Sequence, residues 1–240
     1  MHTADAAERV TSRELLAMLR AEASERHRLS VVRLGIPEAD SIGVPIPVIR
    51  RIAKGVGRSN PLARELWATG VHEARLLAAL VFDPATLALD EASGLLVDVR
   101  SWDLCDHLCN SLFLRIEGYG SRIPVWAAAE PTYTKRAAFA LMASATTHER
   151  ALSEETVGVY LDLIERHAGD PRLHVKKAVS WALREVGQRD LVSRDRAVEV
   201  AQRLVAAAEP PRVWVGRDAL RDLERMRFVE GKRRLVVVRD

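Results

Sequence analysis

The stretch VRSWDLCDHLCNSLF, residues 99–113, collects the side chains of this sequence that are best suited to chemistry. It places Trp102 and Asp106 four positions apart. Three potential metal ligands are interleaved with them: Cys105, His107 and Cys109. If Ser101 caps a helix here, Asp106 lies beyond the first turn and has no capping role. The stretch is therefore open to three interpretations: a metal site, a catalytic face or ordinary core.

Helical geometry disfavours zinc binding by the three potential ligands. Cys105 and Cys109 share one face of a helix, whereas His107 points to the opposite side. The sequence holds no other cysteine, so a second ligand pair such as CxxC is absent. Two cysteines also form no disulfide framework, which fits a reducing compartment. We expect both to be small buried residues, and we expect no metal or cofactor.

The indole of Trp102 and the carboxylate of Asp106 would lie one above the other on the same helix face. They could frame a reacting group, or they could be a packed indole beside an Asp that is paired with a Lys or Arg. Trp181, in VKKAVSWALREV, has the same two interpretations, because a tryptophan among alanines and leucines is usually core.

Composition indicates an ordinary soluble protein of 240 residues, 48% of them hydrophobic and 29% charged. The apolar segments are too short to span a membrane, and the first ten residues lack the apolar core of a secretory signal, so we expect a cytoplasmic protein. The net charge is only +3, but residues 171–240 hold 17 Lys and Arg against 10 Asp and Glu. That segment could bind a polyanion, or its cations could be solvated helix faces.

Apolar residues recur at helical spacing in almost every segment, which predicts about twelve helices and an all-α fold. Helix starts are indicated at Thr11-x-x-Glu14, Asn60-Pro61 and Ser153-Glu154-Glu155. The helices fall into about six pairs, with second members beginning near residues 45, 72, 102, 134, 172 and 212. This spacing of roughly thirty to forty residues predicts a helical-repeat α-solenoid in a single domain.

Three second helices share a short pattern, a cation followed by small and then apolar residues: KRAAFAL (135–141), KKAVSWAL (176–183) and GRDAL (216–220). The pattern puts Arg136, Lys177 and Arg217 at equivalent places, so these cations would project together if the second helices line one concave surface. The final RRLVVVRD is either a short strand or an extended arm.

Five runs resemble, in order, the DNA alkylation repair protein family, the AlkD-type DNA glycosylases. They are ELWATGVHEARLLAAL, SWDLCDHLCNSLF, KRAAFALMAS, RLHVKKAVSWALREVGQRD and RVWVGRDALRDL. The resemblance implies a curved α-solenoid of HEAT-like helix pairs that binds duplex DNA and excises cationic alkylpurines such as 3-methyladenine and 7-methylguanine. We expect the solenoid to cover residues 13–228, after a flexible N-terminus (1–12) and before a C-terminal tail (229–240), and to act as a monomer.

By motif matching, the resemblance implies a catalytic cleft of Asp106, Trp102 and Trp181. Arg136 matches a DNA-contacting arginine of the family, and Lys177, Arg184 and Arg217 would contact phosphates with it. The carboxylate would stabilise positive charge on the deoxyribose, and the indoles would add cation–π attraction. The base would not enter a deep pocket, unlike the flipped base of ordinary glycosylases.

The sequence departs from the best-known members at Leu173 and His174, where they carry bulky aromatics, so catalytic strength and substrate range stay open. Three functions compete: a glycosylase for alkylated purines, a HEAT-like module that binds DNA structures without catalysis, and a protein-binding scaffold. Asp106 and the two tryptophans favour the first. The basic C-terminal segment disfavours the third.

Overall fold

The structure is a computed structural model, and it describes residues 10–149 and 151–238. Within them lie thirteen α-helices and one two-stranded sheet. The helices are α1 (Ser12–Ala21), α2 (Glu25–Arg33), α3 (Ile46–Val56), α4 (Asn60–Ala68), α5 (His72–Val81), α6 (Leu89–Leu95), α7 (Trp102–Ser111), α8 (Arg122–Ala127), α9 (Thr132–His148), α10 (Glu154–His167), α11 (Leu173–Gly187), α12 (Leu191–Val205) and α13 (Pro210–Leu223). No described helix is long and apolar enough to cross a bilayer.

The six predicted second helices are α3, α5, α7, α9, α11 and α13, and each begins within two residues of its predicted position. Six pairs with these second helices account for twelve of the thirteen described helices, and α2 is the additional one. Its sequence, ERHRLSVVR, contributes no buried residue, so it has no apolar stripe from which a helix could be predicted. Ser24 begins α2, because its side chain accepts a hydrogen bond from the His27 amide at 3.3 Å.

Two of the three predicted helix starts are confirmed. Thr11 and Glu14 form a reciprocal capping box, and the Ser153 side chain caps α10. The prediction for Asn60 was wrong by one residue: Ser59 is the N-cap of α4, and its Oγ accepts from the Leu62 amide. The Asn60 side chain instead accepts from the Asp83 amide at 2.7 Å, so it fastens the turn after α5.

Two compact units make up the chain. Unit 1 comprises residues 10–88 and 100–117, with α1 to α5 and α7. Its second helices stack, α3 on α5 and α5 on α7. Glu73, only 2% exposed, anchors the segment before α3: its carboxylate accepts from the Ser41 hydroxyl and from the amides of Ile42, Gly43 and Val44, at 2.6 to 3.3 Å. Gly43 has φ 82°, and a Cβ there would lie 2.3 Å from the Ser24 carbonyl oxygen.

Unit 2 comprises residues 89–99 and 118–238, with α6 and α8 to α13. Here α9 stacks on α11 and α11 on α13, while α10 packs on α12. Contacts between successive repeats recur at a separation of 38 residues: Arg136 to His174, Thr147 to Glu185, Ser180 to Asp218, Arg184 to Asp222 and Glu165 to Arg203. Such constant spacing is what a stacked helical repeat requires.

The C-terminal segment is a strand rather than a free arm. β1 (Met226–Arg227) and β2 (Val236–Val237) pair antiparallel, with Met226 opposite Val237. The segment also binds α11, since the Leu235 amide donates to the Gln188 carbonyl and the Gln188 side chain donates to the Leu235 carbonyl, both at 2.9 Å. The predicted boundary after residue 228 therefore falls inside a hairpin. Of the predicted flexible N-terminus, residues 1–9 lie outside the described residues.

Candidate functional site

Helix α7 carries the indole and the carboxylate that the sequence predicted. Ser101 occupies the N-cap position, as expected, although its hydroxyl makes no capping hydrogen bond. Trp102 is half-buried, and its Nε1 donates to the Leu34 carbonyl at 2.9 Å. Leu34 is the C-cap residue of α2, so this additional helix orients the indole. Asp106 is also half-buried.

The tryptophans differ in burial, but the difference does not by itself mark the candidate site, because Trp214, which was not a candidate, is also half-buried. Trp67 and Trp126 are 6% and 3% exposed, as expected of core residues. Trp102 and Trp181 are only half-buried, so part of each ring faces solvent. A side chain that served the core alone would be expected to bury that apolar area.

Three further side chains of α7, on different faces of the helix, are structural. Cys105 and Cys109 are free thiols and fully buried, as predicted. The His107 Nε2 donates to the Leu76 carbonyl at 3.1 Å, and burial lowers the pKa of His107 to about 4. Within the described ranges no three His, Cys, Asp or Glu side chains are grouped to hold one metal ion.

A second carboxylate on α7 has a different environment. The Asp103 Oδ2 lies 2.8 Å from Nε2 of His72, which is buried on α5. Burial raises the pKa of the Asp103 carboxyl, but the hydrogen bond from His72, the charge of His72 when protonated, and the nearby Ser101 hydroxyl and Leu104 amide together lower it by more, so the pKa lies below its usual value. Asp103 therefore joins α7 to α5 and provides a structural reference for Asp106.

Trp181 belongs to unit 2, and α11 positions it. Its Nε1 donates to Oε1 of Glu185, one turn later, at 3.0 Å. The other oxygen of Glu185 accepts from the Thr147 hydroxyl at 3.0 Å and from Nη2 of Arg234 at 2.7 Å. The C-terminal hairpin thus contributes to the orientation of Trp181, a link that 53 residues of separation hid in the sequence.

The four predicted DNA-binding cations are also in unit 2, in unequal environments. Lys177 and Arg217 are exposed. Arg184 is half-buried and its Nη1 lies 2.7 Å from Oδ2 of Asp222. Arg136 is only 6% exposed, and its Nη1 donates to the His174 carbonyl at 2.6 Å. The shared sequence pattern therefore does not give Arg136 the exposure of Lys177 and Arg217.

An aromatic contact that the sequence did not reveal lies at the departure from the family pattern. Leu173 begins α11 and is 51% exposed. The His174 ring lies 5.7 Å from the Tyr133 ring, centre to centre. Burial, followed by the charges of Arg136 and Lys177, lowers the pKa of His174. Tyr133 precedes the KRAAFAL run and was not identified as a candidate, because its partner is on the next repeat.

The candidate residues of each unit have a distinct chemical capability. In unit 1 the carboxylate of Asp106 and the indole of Trp102 are partly accessible on one helix, and both stabilise positive charge. In unit 2 Trp181 offers a second indole, and the exposed Lys177 and Arg217 suit phosphates.

Comparison with known proteins gives matches that cover most of the chain, to a family model and to solved structures. A family model described as DNA alkylation repair enzyme matches residues 15–223. A solved structure superposes with a TM-score of 0.73 at 20% sequence identity, covering 80% of this chain and 83% of the other. That protein is described as one of a new family related to the HEAT-like repeat DNA glycosylases, with affinity for branched DNA structures. No curated protein matches the chain. The predicted HEAT-like helical-repeat fold is confirmed.

Proposed function

Because this chain belongs to the DNA alkylation repair enzyme family, we propose that it is a DNA glycosylase that removes cationic alkylated purines, of the 3-methyladenine and 7-methylguanine type, from duplex DNA. The bond broken is the N-glycosidic bond, and water is the second substrate. The alkyl group makes the purine cationic and hence a good leaving group. The protein must then stabilise the positive charge that grows on the deoxyribose.

In the proposed mechanism Asp106 supplies this stabilisation. A carboxylate that is already oriented in a partly dry site needs little reorganisation energy as charge develops on the sugar. It can also orient the water that captures the sugar. Trp102 adds cation–π attraction, on the order of 0.5–2 kcal/mol, and a like contribution from Trp181 in unit 2 stays a prediction. No side chain needs to protonate the base, because the base leaves as a neutral purine.

The observation that carries the proposal is the partial exposure of Trp102 and Asp106 on one face of α7. The indole is oriented by the Leu34 carbonyl and not enclosed in the core, in contrast to Trp67 and Trp126. Exposure of an apolar ring costs solvation free energy, which a binding role on DNA explains. Phosphate contacts by Lys177, Arg184, Arg217 and Arg136 remain predictions, and for Arg136 they require its buried guanidinium to become accessible.

The decisive experiment compares two isosteric variants of the same helix. Asp106→Asn retains shape and loses charge, so release of free 7-methylguanine from methylated duplex should fall about 100-fold in single turnover, or roughly 2.7 kcal/mol. Its Tm should be retained. Asp103→Asn should instead lower the Tm, because it weakens the contact with His72, while the excision rate per folded molecule is unchanged. If Asp106→Asn melts early and excises normally per folded molecule, Asp106 has no part in the chemistry.

The second candidate is a module that binds branched DNA without catalysis. The observation that favours it is the likeness to the solved protein whose family has affinity for branched DNA structures. Leu173 and His174 in place of the expected aromatics also agree with it. In that case wild-type protein should release no base, yet bind a four-way junction more tightly than a linear duplex of equal length. A protein-binding scaffold would bind neither DNA at any salt concentration.

A further inference from the structure

Unit 1 contains a basic pocket that the sequence did not predict. It has a volume of about 460 Å³ and lies where α3, α5 and α7 end. Four of its lining residues are cations and none is acidic: Arg50, Lys54, Arg58 and Arg115. The basic pocket belongs to the part of the chain, residues 1–170, in which acidic residues outnumber basic ones. Overall charge therefore gave no hint of it.

Two of the cations are rigidly placed by backbone carbonyls. Nη1 of Arg58 donates to the carbonyls of Leu80 and Phe82, at 2.7 and 2.5 Å, and so closes the end of α5. Nη1 of Arg115 donates to the Asn110 carbonyl at 2.6 Å, near the end of α7. Each guanidinium has further N–H groups beyond the one used here.

The other two cations, Arg50 and Lys54, are one turn apart on α3 and form no ion pair with any described residue. Their neighbour Arg51 is different, because its Nη2 lies 2.6 Å from Oε1 of Glu22. Positive charge on α3 is thus balanced outside the basic pocket and left unbalanced inside it.

Helix dipoles account for only part of this charge. The C-terminal end of a helix carries about −0.5 elementary charge, so the three ends at the basic pocket supply roughly −1.5. Four cations supply +4, which leaves an excess of about 2.5 positive charges. Like charges at this density repel one another, and the folded protein gains when a polyanion neutralises them.

We propose that the basic pocket binds backbone phosphates of duplex DNA, a contact region that rests on the proposed function and adds to the cations of unit 2. One DNA molecule can reach both places if it follows α7 around its axis, because Asp106 and the pocket residue Ser111 are about 7.5 Å apart along the helix axis and roughly 140° apart around it. A duplex offers one phosphate per strand every 3.4 Å or so. DNA that places a sugar at Asp106 therefore has further phosphates within a few nucleotides.

The test is a salt titration of binding to an unmodified duplex of about 20 base pairs. Each lost phosphate contact lowers the slope of log K against log salt by about 0.9, which corresponds to about fivefold in affinity near 0.15 M salt. The double variant Arg50→Gln/Lys54→Gln should lose about 1.8 in slope and about 25-fold in affinity. Arg51→Gln, on the same helix but outside the basic pocket, should change neither.

A charge-retaining double variant, Arg50→Lys/Lys54→Arg, should keep the wild-type slope, which excludes general damage to α3. The Tm of the Gln variant should hold or rise, because removal of two unpaired like charges relieves repulsion. An unchanged slope in the Gln variant, with wild-type protein binding DNA normally, overturns the basic pocket and leaves the proposed function standing. Absence of salt-dependent DNA binding by wild-type protein overturns both.

A separate arm uses inorganic phosphate in calorimetry. Saturable binding that the Gln variant loses, with no change in the DNA salt slope, would make the basic pocket a site for a free anion and overturn its role on DNA. Loss of slope for duplex without saturable phosphate binding supports the proposal, because a polyanion gains from counterion release in a way that a single phosphate does not.

Discussion

In both units each second helix stacks on the second helix of the next repeat. The units differ in the length of the repeat and in the contacts that join the repeats. Hydrogen bonds from α5 to α7 in unit 1 join residues 31 apart, whereas those along α9, α11 and α13 in unit 2 join residues 38 apart. Helix length explains the difference: α5 and α7 have 10 residues each, and the three helices of unit 2 have 17, 15 and 14. The spacing between second helices is thus shorter in unit 1 than in unit 2.

The contacts also differ in what they do with charge. Unit 1 joins its repeats by buried polar groups, such as Glu73 and His72, and among the described residues the cations of the basic pocket have no carboxylate partner. Unit 2 joins its repeats largely by arginine–carboxylate pairs, such as Arg184 with Asp222 and Arg203 with Glu165. A segment of the sequence with an excess of Lys and Arg therefore need not form the surface with the most unpaired positive charge.

The largest effect is expected for Glu73→Ala in unit 1. The substitution leaves the Ser41 hydroxyl and three amides without their acceptor in a buried place, so the free energy of unfolding should fall by about 4 kcal/mol. The Tm should fall by roughly 10 °C. Glu22→Ala, which removes an exposed contact with Arg51, should cost under about 1 kcal/mol. If urea unfolding showed the same loss of unfolding free energy for Glu73→Ala and Glu22→Ala, the expected difference between buried and exposed contacts would be wrong.

The next effect concerns pH and His107. Burial lowers the pKa of His107 to about 4, below the value of 6.5 expected in the unfolded chain. Between about pH 4 and pH 6.5, His107 binds a proton in the unfolded chain but not in the folded protein. The stability contribution is present above pH 6.5 and is lost as pH falls to about 4, by roughly 3 kcal/mol in total.

The variant His107→Gln should therefore show a flatter dependence of unfolding free energy on pH over that interval. His148→Gln is the matched control from unit 2, because this side chain is exposed at the end of α9. The control should keep the wild-type profile. A wild-type profile in His107→Gln would mean that another group causes the acid loss.

An intermediate effect is expected where unit 2 does use a partly buried pair. Arg234→Ala removes contacts with the Glu185 carboxylate, the Glu185 carbonyl and the Thr147 hydroxyl, at 2.7, 2.8 and 3.1 Å, and should cost about 1–2 kcal/mol. Because Glu185 also binds the Trp181 indole, tryptophan fluorescence should shift to the red. Arg233→Ala, whose side chain donates to the Glu149 carbonyl at 3.4 Å and to no other described residue, should leave both quantities unchanged. If the two variants had identical fluorescence spectra, the C-terminal hairpin would have no part in orienting Trp181.

The smallest effect is expected for the exposed pair of Arg203 and Glu165. Two short contacts, 2.8 and 2.7 Å, join the side chains, which are 54% and 32% exposed. A double-mutant cycle should give a coupling of about 0.5 kcal/mol, and 1 M salt should remove most of it. A coupling that is large and insensitive to salt would show that unit 2 relies on such pairs as strongly as unit 1 relies on Glu73.

Helix starts were the most predictable part of the fold, because caps and apolar periodicity are local in sequence. Thr11 and Ser153 are N-cap residues that predict the starts of α1 and α10, and the second helices follow from the 3.6-residue apolar pattern. The polar helix α2 escaped this reasoning, although it orients Trp102. Of the site, the shared face of Trp102 and Asp106 follows from their spacing alone, whereas the exposure of any one cation does not.

The sequence by itself determined the all-α repeat, the face of α7 that carries Trp102 and Asp106, and the burial of Cys105 and Cys109. These depend on spacing within single helices. Tertiary structure decided which charges remain available: it buried Arg136, paired Arg184 with Asp222, and gathered Arg50 and Arg115 from distant segments into one pocket. The physical reason is that a charge is balanced or left unbalanced by its neighbours in space, and in a stacked repeat those neighbours come from the next helix pair.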